Sequence, residues 1–227
     1  MKKLLCILLT LTMLFTLAAC GKGKSSEPAP AAEGAAPAET KEPELSAQDL
    51  IGEKGEHSYE NKALKIRADL PEDWIVLTND EIAEVMGTAM ENLTDEDLAA
   101  SLDESGAVCD FYAMAGDGSG SNLNIQLQNL SFFQGAALSE QAVADGSLDQ
   151  VRQALEGMGM ENVEPKVETF RFAGKDHASI TCSASYTGVP LFERQVIVKV
   201  GRYIGIVTSF AFSQEDADRY LGFFSGI

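Results

Sequence analysis

Val163–Phe212, VEPKVETFRFAGKDHASITCSASYTGVPLFERQVIVKVGRYIGIVTSFAF, is the stretch whose reading decides the fold. It divides into four apolar-rich runs near Val163–Phe172, His177–Tyr186, Leu191–Val200 and Tyr203–Phe212. Ala173-Gly174-Lys175-Asp176, Thr187-Gly188-Val189-Pro190 and Gly201-Arg202 separate them. Turns this short leave no room for a crossover, so consecutive strands must pair antiparallel as a meander. After the meander, Ser213 and Asp216 have capping-box spacing, and Ala217, Tyr220, Leu221 and Phe224 predict the inward face of a last helix.

Upstream, Ala63–Leu70 alternates apolar and polar residues and predicts a half-buried strand. Pro71-Glu72-Asp73-Trp74 turns the chain out of it. Thr78 with Glu81 predicts a helix carrying Ile82, Val85, Met86, Met90 and Leu93. Thr94 with Asp97 starts a second, carrying Leu98 and Leu102. Val108–Ala115 and Leu123–Gln128 read as strands joined by the loop Gly116–Ser121. Ser147 and Gln150 predict the start of a helix with Leu148, Val151, Leu155 and Met158 on one face, ended by Gly157 and Gly159. The expected fold is α+β: a mostly antiparallel sheet of about six to seven strands covered by helices, over residues 58–227.

This element order, with Leu70-Pro71-Glu72-Asp73-Trp74 early and an apolar helix late, resembles the PsbP-like superfamily (PsbP, the Mog proteins and DcrB-type lipoproteins). The Pro-x-x-Trp corner is the one residue match, and Asp73 stands where a glycine is usual. The resemblance implies a PsbP-like fold and assigns no functional residue, because members of that group bind different partners.

The other end of the chain gives an address. Lys2 and Lys3 precede an apolar run from Leu4 to Ala19, shorter than the roughly 20 residues a spanning helix needs. The run ends in Leu17-Ala18-Ala19-Cys20-Gly21, which resembles the lipobox of bacterial lipoproteins. The resemblance implies that residues 1–19 are a signal peptide and that Cys20 is lipidated. The mature protein is then extracytoplasmic, held to the cell membrane through lipid. Residues 21–56 hold four of the seven prolines and no aromatic residue. Such a segment buries too little apolar surface to offset its chain entropy, so residues 20–57 are expected to be a disordered Pro/Ala/Glu-rich tether.

Charge excludes one class of partner. The 227 residues carry 35 acids against 17 bases, a net charge of −18, which leaves no basic face for nucleic acid. From Ala68 to Val151 there is no Lys or Arg but there are 17 acids. Glu84, Glu91 and Asp95 are taken from that block as candidate contacts for a basic protein partner or a divalent cation, beside the simpler reading of a solvated acidic face. Phe132-Phe133 is the second candidate surface, since adjacent residues on a connection cannot both enter one core.

Catalytic signatures are sparse. His57 and His177 are the two histidines, and there is no Gly-x-Ser-x-Gly. Asp117–Asn122 departs from a calcium loop, and no Cys-x-x-Cys predicts a metal. Cys182 lies in phase with Ile180 and Ala184, and Cys109 in phase with Phe111. They either form a disulfide in the oxidising exterior or sit as buried thiols, the second being preferred. The expectation is a non-enzymatic binding or accessory module at the cell envelope, without cofactor, for a basic protein or a small ligand. The alternative is an envelope hydrolase or thiol-redox enzyme using carboxylates or Cys109 and Cys182.

Overall fold

The computed structural model describes residues 45–87, 92–133 and 137–227, whose strands form two antiparallel sheets. Residues 1–44, with the expected signal peptide and Cys20, and Glu91 lie outside the described residues. The first strands are β1 (Glu53–Gly55), β2 (Ser58–Asn61), β3 (Ile66–Asp69), β4 (Trp74–Val76), β5 (Ala107–Ala115) and β6 (Asn122–Asn129). The rest are β7 (Glu161–Phe172), β8 (Lys175–Tyr186), β9 (Val189–Val200), β10 (Tyr203–Ala211) and β11 (Phe224–Gly226). The helices are α1 (Ala47–Leu50), α2 (Asn79–Val85), α3 (Asp95–Ser105), α4 (Glu140–Gly157) and α5 (Gln214–Leu221). The large sheet runs β4-β5-β6-β10-β9-β8-β7 and the small one β1-β2-β3-β11. This is an α+β fold.

The meander forms as its turns dictate. Ala173-Gly174 and Thr187-Gly188 both have positive φ at the two central residues, +47° and +84° in one and +49° and +82° in the other. That sign matches the right-handed twist of the strands they join. Three expected helix starts are also observed: Thr78, Thr94 and Ser213 each accept a hydrogen bond from the backbone N–H three residues on. Each satisfies one of the amides a helix leaves open at its start.

Packing sorts the elements into three layers. On one face of the large sheet, Phe111, Leu123, Ile125, Leu127, Val196 and Val207 meet the small sheet, α1 and α5. Trp74 anchors this core with its ring edge-on to Tyr220 at 4.9 Å and to Phe223 at 5.5 Å. On the opposite face, α4 sets Val143, Val151 and Leu155 against Ile180, Ile197, Ile204 and Ile206. Ile82 of α2 covers Leu77 and Tyr112 in a third, smaller cluster.

Five expectations need correction. Residues 45–57, assigned to the tether, are folded: Ala47 and Leu50 are buried, and β1 and β2 belong to the small sheet. Local composition predicted a tether there, but the segment gains its apolar contacts from α3 and the sheet. The strand expected over Ala63–Leu70 shrinks to β3, because Lys65 adopts a left-handed φ of +58°. α4 begins after Ser139, whose hydroxyl accepts from Ala142 N–H, and Ser147 instead donates to the Val143 carbonyl inside the helix. Phe224 lies on β11, since α5 ends at Leu221. Cys109 and Phe111 are not in phase, because a bulge at Asp110 shifts the register between them.

That bulge fastens the N-terminal segment. An extra residue re-aims its side chain, and the Asp110 carboxylate is fully buried. It accepts hydrogen bonds from Gly52 N–H at 3.0 Å and from the Tyr59 hydroxyl at 2.5 Å. Lys54 Nζ stands 3.3 Å from the carboxylate and donates to the Asp110 carbonyl at 2.7 Å. Burial pushes the carboxyl of Asp110 up, while Lys54, Tyr59 and Gly52 oppose it.

Gly116, at the end of β5, is pressed against the Asp73 carbonyl: a Cβ built on it would lie 2.1 Å from that oxygen. Backbone, not a flexible tip, would have to move. Gly116→Ala is therefore expected to cost about 1–3 kcal/mol, read as a lower urea midpoint at unchanged slope. A midpoint equal to the parent's would refute the close approach.

Candidate functional site

Two helices and two strands line a half-open cavity of about 240 Å³. Its apolar wall comes from Ile82 of α2, Met86 just after it, Leu98 of α3, and Ala107 and Val108 of β5. Asn79, Ser101, Ser105 and Gln126 supply its polar positions, and none of the lining residues is charged. The capping bonds explain how acid-rich helices leave an uncharged interior. Helical periodicity turns Ile82, Leu98 and Leu102 inward, while Glu81, Glu84, Asp95, Glu96, Asp97, Asp103 and Glu104 are exposed. Asp80 accepts from Asn92 and Leu93 N–H at 2.9 and 2.7 Å, fixing the chain as it enters α3.

A buried polar strip continues from the cavity across the sheet. Alternate residues of β6 face opposite ways, so Asn122, Asn124, Gln126 and Gln128 share a face while Leu123, Ile125 and Leu127 enter the main core. β6 pairs on both edges and is buried along its whole length, which is why its alternation does not mark an exposed face. Tyr112, Asn124, Thr208 and Gln195 stand directly opposite one another on β5, β6, β10 and β9. Glu193 is the next residue of β9 on this face. It accepts a very short hydrogen bond from Gln195 Nε2 through Oε1, and its Oε2 has no partner among the described residues. Burial pushes its carboxyl up to about 7, and Gln195 only partly opposes this.

On the other face of β9, Arg194 is a structural clamp. Its Nε donates to Asp218 at 2.6 Å and its Nη1 lies 3.3 Å from Glu168, while the guanidinium stacks 4.3 Å over Phe170. It ties α5 to the meander, and a partnered, stacked guanidinium of this kind tolerates burial.

The residues singled out from the sequence scatter. Glu84 and Asp95 are exposed and do not line the cavity, and Asp95 accepts from Asn79 Nδ2 at 3.1 Å. Glu91 and the side chain of Phe133 fall outside the described residues. Phe132 is 49% exposed at the end of β6, its ring packed over Gly106. Cys109 and Cys182 are free thiols in different clusters, Cys109 beside Tyr112 and Cys182 beneath α4. Burial first, then Asp110 beside one and Glu193 beside the other, pushes both thiols up to about 12, so they stay protonated.

His177 is more than a turn residue. Its Nδ1 lies 3.1 Å from Glu140, whose Oε1 also accepts the Lys199 N–H at 2.9 Å. Burial alone would raise the carboxyl of Glu140, but these bonds outweigh it and hold it below its usual range. The pair locks the first turn of α4 onto β8 and β9. Its members are 37 residues apart, so no local pattern reveals them. Glu193 had one sequence signal: an acid at an inward-facing position of an apolar strand.

No protein-family model matches the chain. No curated protein matches it in sequence. Among solved structures it is similar to LpqN, involved in cell envelope biogenesis of Mycobacterium tuberculosis, with a TM-score of 0.33 and 13% identity over 70% of this chain and 82% of that one. An overlap this loose transfers no role. Among the described residues, no helix is long and apolar enough to cross a membrane.

Proposed function

We propose that the chain is a lipid-anchored, extracytoplasmic, non-enzymatic binding module: a PsbP-like domain tethered to the cell membrane through Cys20. The observation that supports binding is the uncharged apolar cavity opening onto a strip of buried amides. A concave apolar site with a few placed polar groups is the usual architecture for holding a small molecule. The anchor follows from the lipobox-like Leu17–Gly21, since a diacylated cysteine holds a membrane far more firmly than one acyl chain.

Two measurements test the two halves. Metabolic labelling with an alkyne fatty acid should mark the parent and leave Cys20→Ser unlabelled and uncleaved. Equal labelling and equal processing of the two would defeat the anchor. Native mass spectrometry of the gently extracted protein should show a small molecule that leaves on denaturation. A spectrum of bare protein alone would defeat the binding module.

A further inference from the structure

We infer that the cavity between α2, α3 and the β5–β6 hairpin holds a medium-length aliphatic chain ending in an uncharged hydrogen-bond donor, a hydroxyl or an amide N–H. This rests on the binding-module reading and deepens it by naming the site and the chemical class.

Size sets the first limit. An engineered cavity of roughly 150 Å³ lined by Leu, Ile and Phe stays dry and binds benzene. The cavity here, about 240 Å³, is larger and mainly apolar, so it suits an alkyl chain better than a compact polar metabolite. Charge sets the second. None of the lining residues is charged, although the surrounding helices form the most acidic part of the chain. A carboxylate or phosphate would lose its water without gaining a cation, and the exposed acids outside would repel it. An ammonium would find no carboxylate within.

The third limit comes from Asn79. Its Nδ2 donates to the Leu93 carbonyl at 3.2 Å and to Asp95 at 3.1 Å. Both partners are acceptors, so the amide cannot be turned round without setting oxygen against oxygen. Its Oδ1 is thereby left buried with no partner among the described residues. A buried acceptor without a donor is costly, and a hydroxyl or amide N–H of an occupant would satisfy it. Ser105, by contrast, already has acceptors for its one hydroxyl hydrogen, the Ser101 and Ala107 carbonyls at 2.7 and 3.0 Å. The occupant's polar end therefore belongs beside Asn79, with its chain along Ile82, Met86, Leu98 and Val108.

The test uses the full mature lipoprotein in lipid nanodiscs and a diazirine-bearing decyl alcohol as photoprobe. Labelled peptides should map to α2, α3 and β5. Unlabelled 1-decanol should suppress labelling, and decanoate should compete at least about tenfold less well, a difference of roughly 1.4 kcal/mol. Val108→Phe, which fills the cavity with an apolar ring, should lose most labelling while keeping a cooperative melt. If that variant unfolds, Ser101→Leu is the second filler, from the opposite wall. Labelling elsewhere on the protein, decanoate competing as well as decanol, or undiminished labelling of a folded filler variant overturns the inference. A small molecule still bound in the native spectrum would then leave the binding-module reading standing, whereas its absence removes that reading separately.

Discussion

Asp110→Ala is expected to destabilise the domain by about 3–5 kcal/mol, the usual cost of removing one partner from a buried ionic network. For a domain of this size that lowers the melting temperature by roughly 6–20 °C. The reason lies in what remains behind. Lys54, its side chain only 14% exposed, loses its carboxylate, the Tyr59 hydroxyl loses its acceptor, and Gly52 N–H loses its partner. All three belong to the segment that brings α1, β1 and β2 onto the main core, so the loss should be local first. Hydrogen exchange at Gly52 and in β2 should quicken more than in the meander. Tyr59→Phe, which leaves the ion pair intact, should cost only about 1–3 kcal/mol. A loss below 1 kcal/mol for Asp110→Ala would show that this network does not hold the segment.

Glu193→Gln should act in the other direction, and with a pH signature. The carboxyl of Glu193 is pushed up to about 7 in the fold, from an ordinary value of 4.5. A group whose folded value is raised binds its proton more tightly in the native state. Its contribution to stability is therefore complete below about pH 4.5 and is lost as pH rises through about 7. Glutamine does not titrate, can still accept from Gln195, and offers a donor to Gln195 Oε1, which has no partner among the described residues. The two proteins should be nearly equally stable at pH 4.5, and the variant more stable by about 3 kcal/mol above pH 8. Asp110, also raised by burial, titrates alike in both proteins and cancels in the difference. Urea unfolding at the two pH values reads this directly. A gap that does not change with pH would mean that Glu193 is ionised throughout, held by a partner beyond Gln195.

Both predictions concern residues that local reading undervalued, and for the same reason. Asp110 looked like the last acid of an acidic block, and Glu193 like one carboxylate among many. What distinguishes them is burial against partners 50 or more residues away for Asp110, and enclosure between β8 and β10 for Glu193. The cavity was hidden likewise. Ile82, Leu98 and Val108 were legible as inward-facing residues, but their spacing cannot say that the helices stand off the sheet and leave a void.

By itself, the order of residues determined what local chemistry decides. Glycine after a left-handed residue closed two turns of the meander, hydroxyl and carboxylate three residues apart started α2, α3 and α5, and alternation marked β3 and β6. The lipobox-like stretch ending at Cys20 likewise carries the expectation of an anchor. Only tertiary structure decided where β6 sits between β10 and β5, that a bulge turns Asp110 inward, that Leu45–Asn61 joins the core, and that an uncharged cavity lies under the most acidic helices. Those outcomes depend on contacts between distant segments, whose energies are fixed by burial and pairing once the layers meet, and no window of neighbouring residues contains them.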